Sequence, residues 1–202
     1  MSGRALVESI AGEYHRYHAL AEGAFAQLRD PELSAPPPGG GNPVAVIVWH
    51  LGGNLASRFT DFLTSDGEKP WRNREEEFDD RQVSRDQLIA KWESGWKPLA
   101  ETLAALADDD LTRTITIRGQ ELTVHAALHR SLSHFAYHVG QIVFIAKSFR
   151  ETSGNRSASR AVARTPTTAR RSSTVRRPMP GRCVRASPTS RAPSRSRPAS
   201  PR

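Results

Sequence analysis

Leu132-Ser133-His134-Phe135-Ala136-Tyr137-His138-Val139-Gly140-Gln141 is the stretch from which the rest of the chain can be read. Its two histidines are four residues apart, so on a helix both imidazoles leave one face, a turn apart. Two neutral imidazoles so placed chelate a divalent cation. A third ligand from another helix then gives a three-nitrogen site with coordination positions left open. His50, in the apolar segment Val46-Ile47-Val48-Trp49-His50-Leu51, is the candidate third ligand. The helix carrying the pair is predicted over residues 123–149 and holds a second pair, His125 and His129. At about 100° of rotation per residue, that second pair faces nearly the opposite side. It is expected on a solvated or interhelical surface, outside any shared site.

Working back from this helix, Asn42-Pro43 reads as an N-cap followed by proline at the first helical position. Val44, Ile47, Val48, Leu51, Leu55, Phe59 and Phe62 then recur at helical spacing. His50 lies beside that stripe in a polar ladder with Asn54, Ser57 and Asp61, a pattern that lines clefts. For Ser57 and Asp61 an ordinary solvated flank fits as well. A first helix over residues 3–29 is marked by Leu6, Ile10, Tyr14, Tyr17, Ala21, Phe25 and Leu28. Pro31 and Pro36-Pro37-Pro38-Gly39-Gly40-Gly41 break the chain into a loop after it. Thr64 to Trp71 is turn chemistry, and the mixed charges of Arg72-Asn73-Arg74-Glu75-Glu76-Glu77 predict a solvated loop.

Ser84-Arg85-Asp86-Gln87 is a capping box. It opens a helix whose stripe is Leu88, Trp92, Trp96, Leu99, Leu103 and Leu106. Pro98 inside it removes a backbone donor and predicts a kink. Alternation of Thr112, Thr114 and Thr116 with Arg113, Ile115 and Ile117, followed by Arg118-Gly119-Gln120, predicts a short hairpin. The fold class is all-α: a four-helix bundle with a short β-hairpin before the last helix. Bundles build metal sites from side chains on facing helices, which suits His50 with His134 and His138.

The formal net charge of +8 over 202 residues averages two unlike segments. Thirteen of the 29 basic residues and one of the 21 acidic ones fall from Glu151 onward, giving +12 there and −4 before it. The terminal segment contains no Leu, Ile, Phe, Tyr, Trp or His, so it cannot bury enough apolar surface to offset the entropy of ordering. The expected organisation is a bundle domain over residues 1–149 and a disordered Arg/Ser/Pro-rich tail over 150–202. The one cysteine, Cys183, lies in the tail, which excludes an intrachain disulfide. The N-terminus has no apolar signal core, and no run approaches the roughly 18 apolar residues of a membrane span. A soluble, cytoplasmic protein is expected, without membrane association.

Three stretches carry a resemblance. They are Val48-Trp49-His50-Leu51-Gly52-Gly53-Asn54-Leu55, Phe62 through Arg74, and His134-Phe135-Ala136-Tyr137-His138-Val139-Gly140-Gln141-Ile142, joined by the hairpin. In these the chain resembles the DinB/YfiT-like metalloenzyme superfamily, in particular a bacterial subfamily of unknown function, over about residues 1–148. The resemblance implies a divalent metal on His50, His134 and His138. It also implies a possible role in thiol-dependent transfer or isomerisation with a low-molecular-weight thiol, and a homodimer. Relatives are expected to continue after the last helix with a segment rich in Ser, Gly and aromatic residues. The Arg/Ser/Pro tail looks instead like the out-of-frame translation of a GC-rich gene.

Three functions follow as expectations. The first is a metal-dependent enzyme, a thiol S-transferase or a hydrolase, acting on a small molecule; no catalytic residue beyond the ligands is assigned. Three neutral imidazoles leave the cation its full charge, and Zn, Ni, Fe and Mn all suit the donor set. Asn54, one turn beyond His50, is the residue expected to orient the thiol cofactor. With no cysteine in the domain, a thiol must come from outside the chain. The second is a non-catalytic metal-binding module, such as a stress-response protein. The third, a nucleic-acid arm in the tail, is disfavoured because the domain is acidic and the tail has no aromatic residues for stacking.

Overall fold

Val7, Ile10, Tyr14, Ala21 and Phe25 bury one face of the first helix, α1 (Gly3–Phe25), in a computed structural model that describes residues 3–152. That face packs on α4 (Arg85–Ala105) and α5 (Val124–Thr152), against which α3 (Val44–Phe59) also packs, and the four helices make the bundle. The most extensive pairings are α3 with α4 and α1 with α5. Trp92, Tyr14, Phe25 and Phe135 are the largest wholly buried side chains, and the Trp92 and Phe135 rings stack at 5.5 Å. No helix among the described residues is long and apolar enough to cross a membrane.

Ser84 caps α4 as expected: Gln87 N donates to Ser84 Oγ at 3.2 Å, and Ser84 N donates to Gln87 Oε1 at 2.9 Å. The helix runs unbroken through Pro98. Pro43 occupies the cap position of α3 rather than its first helical position. The first helix stops at Phe25, and a short α2 (Asp30–Ser34) follows where a loop was expected. Pro31, the second residue of this helix, fits there because a first-turn N–H has no intrahelical acceptor and its loss costs nothing. Glu32 of α2 is buried, accepting from the Arg29 and Arg150 guanidinium groups, so α2 is tied to the far end of α5. Helix α5 extends into the segment read as tail; beyond Thr152 that segment lies outside the described residues.

The hairpin is where it was expected. Strand β1 (Thr114–Ile117) pairs antiparallel with β2 (Gln120–Thr123), Thr114 opposite Thr123 and Ile117 opposite Gln120. Arg118 and Gly119 form the two-residue turn, both with positive φ (55° and 72°). That is the turn whose twist matches the flanking strands. Arg118 holds this backbone because the Asp66 carboxylate accepts from its N–H at 2.8 Å and from Gly119 N–H at 2.9 Å. Ile115 and Ile117 face the core, and the hairpin, through Ile117 and Arg118, walls the cavity that His50 also lines.

Two glycines set the α3–α4 distance. A Cβ on Gly95 would lie 2.5 Å from Gly52 Cα, so the helices meet backbone to backbone. Glycine inside a helix costs about 1 kcal/mol relative to alanine, and close approach is the physical reason to carry it.

Candidate metal centre

His50 is buried on α3, and His134 and His138 leave α5 one turn apart to meet it. One ring nitrogen from each of the three lies within 4.8 Å of the others. The ring centroids are 5.1 Å (His50–His134), 4.9 Å (His50–His138) and 4.6 Å (His134–His138) apart. His50 Nε2 and His134 Nε2 face each other at 3.1 Å.

Hydrogen bonds at the outer nitrogens fix which side of each ring is left over. His50 Nδ1 is 3.0 Å from Glu77 Oε2, and His138 Nδ1 is 2.8 Å from Gln141 Oε1. A carboxylate and an amide oxygen only accept, so both Nδ1 atoms carry the proton and both Nε2 atoms present a lone pair. Lone pairs aimed inward with carboxylate support behind are the arrangement of metal-binding histidines. The donor set therefore fits a divalent cation.

Glu77 and Arg72 are the residues that the local sequence concealed. They belong to the stretch expected to be a solvated loop. Instead, the Arg72 side chain is 2 % exposed and that of Glu77 8 %. Arg72 Nε and Nη2 donate to the two Glu77 oxygens, each at 2.8 Å, a bidentate fork. Burial alone would raise the Glu77 carboxyl, but the bonds from Arg72 and His50 outweigh it and hold it below the ordinary range. The carboxylate can lie against α3 only because Gly53 has no side chain, since a Cβ there would sit 2.0 Å from Glu77 Oε1. Gly52-Gly53 within an apolar helical stripe was the available signal. Phe78, next along, covers the His50 ring at 4.8 Å.

The remaining sequence candidates divide. Asn54 is half-buried and shares with His50 and His134 the wall of a cavity of about 210 Å³. Ser57 is wholly buried, donating to Gly67 O at 2.7 Å and accepting from Lys69 N at 3.1 Å, so its role is to hold the following loop. Asp61 is exposed. His125 and His129 are exposed too, as expected, with Nδ1 atoms at 3.1 Å from Leu111 O and 2.7 Å from His125 O. A second group, His18 with Glu22 and Glu93, could also hold a cation. Its carboxylates approach opposite nitrogens of one ring, Nδ1 at 3.5 Å and Nε2 at 3.4 Å, which describes a bridging imidazole better than a shared donor set.

Burial, first, and then the neighbouring His138, His50, Arg72 and Arg58 lower the His134 pKa from 6.5 to about 3. Burial lowers His138 as well. Neutral rings keep their lone pairs available to a cation. In the unfolded chain these rings protonate near 6.5, whereas the native rings resist protonation, so acid favours the unfolded chain. The metal-free protein should lose stability as the pH falls from about 6.5 towards 3, and His134→Ala should flatten that dependence. Urea midpoints at pH 7.5 and pH 5 in the presence of chelator check this. A wild-type midpoint unchanged between them would show that the rings are not held neutral.

Among solved structures, a conserved protein from Enterococcus faecalis matches with a TM-score of 0.55 and 17 % identity, over 73 % of this chain and 96 % of that one. At that identity the likeness establishes the shared fold. Among curated proteins nothing matches. Residues 2–160, which include every residue of the histidine site and its supports, match the family described as protein of unknown function DUF1572, and the chain belongs to that family.

Proposed function

We propose that the chain is a divalent-metal-dependent protein of the DinB/YfiT-like superfamily, with His50, His134 and His138 as ligands. The proposed reaction is transfer of a low-molecular-weight thiol to a small electrophilic substrate. The observation that carries this reading is the convergence of three imidazoles, two of them fixed with Nε2 inward, beside a cavity. When bound, a divalent cation supplies a lowered pKa for a thiol or water entering its open position.

The chain's own residues do the rest. Glu77, anchored by Arg72, orients His50 and puts a negative charge behind it. Phe78 shields one side of that ring from water. Asn54, in the cavity wall, supplies an amide to orient the entering thiol. No cysteine occurs among the described residues, so the nucleophilic sulfur comes from the small molecule. Among the described residues no carboxylate lines the cavity, which favours transfer over hydrolysis, because the latter calls for a general base near the water. Zn, Ni, Fe and Mn all suit the donors, and availability decides among them. A cytoplasmic homodimer belongs to the same proposal; Tyr137 and Phe144 of α5, 64 % and 70 % exposed, are the apolar surface it would cover.

Cobalt substitution tests the chemistry. An added small thiol should produce a sulfur-to-cobalt charge-transfer band that saturates, and the band should fade in acid as the histidines release the metal. If cobalt binds at His50, His134 and His138 while saturating thiol leaves its spectrum unchanged, thiol transfer is refuted. A non-catalytic metal-binding module then becomes the better reading.

A further inference from the structure

Four arginines, Arg58, Arg74, Arg118 and Arg130, wall the cavity that His50 and His134 share, and among the described residues neither Asp nor Glu lines it. Arg58 and Arg118 are held in place by one carboxylate, donating to Glu68 at 3.1 Å and 2.9 Å, and Arg72 lies 3.9 Å from the same group. Glu68 thus faces three guanidinium groups, of which Arg72 is neutralised separately by Glu77. Arg118 is fixed a second time, through the Asp66 clamp on its turn. Arg74, from the loop after α3, and Arg130, from α5, are exposed, and their side chains form no ion pair or hydrogen bond among the described residues. Arg74 and Arg130 thus add two positive charges with no carboxylate of their own, which raises the potential in the concave space, and an anion entering it relieves that. Guanidinium forks match carboxylate and phosphate geometry.

The cavity, at about 210 Å³, is smaller than the 300–1,000 Å³ or so of pockets that enclose a drug-sized ligand. It suits a compact charged end group. We propose that it binds the oxyanion end, carboxylate or phosphate, of the small molecule on which the histidine site acts. Arg74 and Arg130 form the clamp, and Arg58 and Arg118 the fixed floor. An anion seated there directs the remainder of its molecule along the wall formed by Asn54, His50 and His134. The proposal rests on the metal-site reading only for what happens at that other end; seating the anion requires no cation.

The test titrates the full chain, in chelator, with inorganic phosphate and separately with succinate, by calorimetry. The arginine-rich C-terminal segment is present in every variant and contributes a common background. At least one probe should bind one-to-one, and which of them does so identifies the oxyanion. Arg130→Gln should weaken binding about tenfold, and Arg74→Gln/Arg130→Gln should weaken it further, as expected for loss of charge-assisted hydrogen bonds. Both side chains are exposed and unpaired among the described residues, so the variants should melt with the wild type. His134→Ala should keep its affinity for phosphate within about twofold, since the clamp is made by guanidinium groups and the imidazole supplies none of its charge. That result would uphold the clamp even if the metal reading failed. Equal binding by the wild type and the double variant, or no binding of either probe, would overturn it. So would loss of binding in His134→Ala alone.

Discussion

His134→Ala should leave the purified protein without stoichiometric metal. His138→Ala should do the same, because removing either leaves two imidazoles where three converge. The effects are expected to be graded by distance from the lone pairs. Glu77→Gln keeps the shape of the group behind His50 but removes its charge, and changes of this kind weaken metal binding by about 10–100-fold without abolishing it. Exposed His125, which faces away from the site, should tolerate alanine with metal content unchanged. Elemental analysis of the four variants, purified side by side, gives the series. Full metal in both His134→Ala and His138→Ala would place the cation elsewhere, with His18, Glu22 and Glu93 the next candidates.

Gly95→Ala should destabilise the metal-free protein by about 1–3 kcal/mol, the usual cost of overpacking a close contact. Two effects oppose each other at this position. Alanine is the better helix former by up to about 1 kcal/mol. Its Cβ, however, would lie 2.5 Å from Gly52 Cα and 2.8 Å from Gly52 O, and backbone atoms cannot rotate aside. Helices α3 and α4 must separate, so the steric cost wins. The displacement also carries Gly53 and His50, so metal affinity should fall with stability. Gly12→Ala is the matched control: it lies within α1, is exposed, and has nothing within 4 Å of the added carbon. Urea denaturation should show Gly12→Ala slightly stabilised and Gly95→Ala shifted the other way. A Gly95→Ala midpoint equal to that of the control would mean that the helices do not meet at these glycines.

Much of the fold is legible in local sequence because the signals are periodic or stereochemical. The apolar stripes of α1, α3, α4 and α5, the Ser84–Gln87 capping box and the Arg118-Gly119 turn each act within a few residues of themselves. That His50 would meet His134 and His138 was legible too, since two stripes fix the faces of two helices that must share a core. What escaped is non-local. Arg72 and Glu77 sit in a run of charges that reads as a solvated surface, and they are buried because each neutralises the other and Glu77 finds His50 Nδ1. Only the absence of a Cβ at Gly53 foretold a neighbour there. Pro31 does not tell its two roles apart in local sequence, because proline interrupts a helix interior yet suits a first turn, as it does in α2. Local sequence does not decide between cleft and solvent for Ser57, because its burial depends on a loop ten residues away.

X-ray absorption at the zinc or cobalt edge, on full-length protein loaded with one equivalent, tests the metal site most directly. The spectrum should show three imidazole nitrogens at about 2.0–2.1 Å, with the outer-shell scattering of intact rings and the remaining positions filled by solvent oxygen. One imidazole with two carboxylates would move the metal to His18, Glu22 and Glu93. A shell without imidazole scattering would contradict a metal centre at His50, His134 and His138.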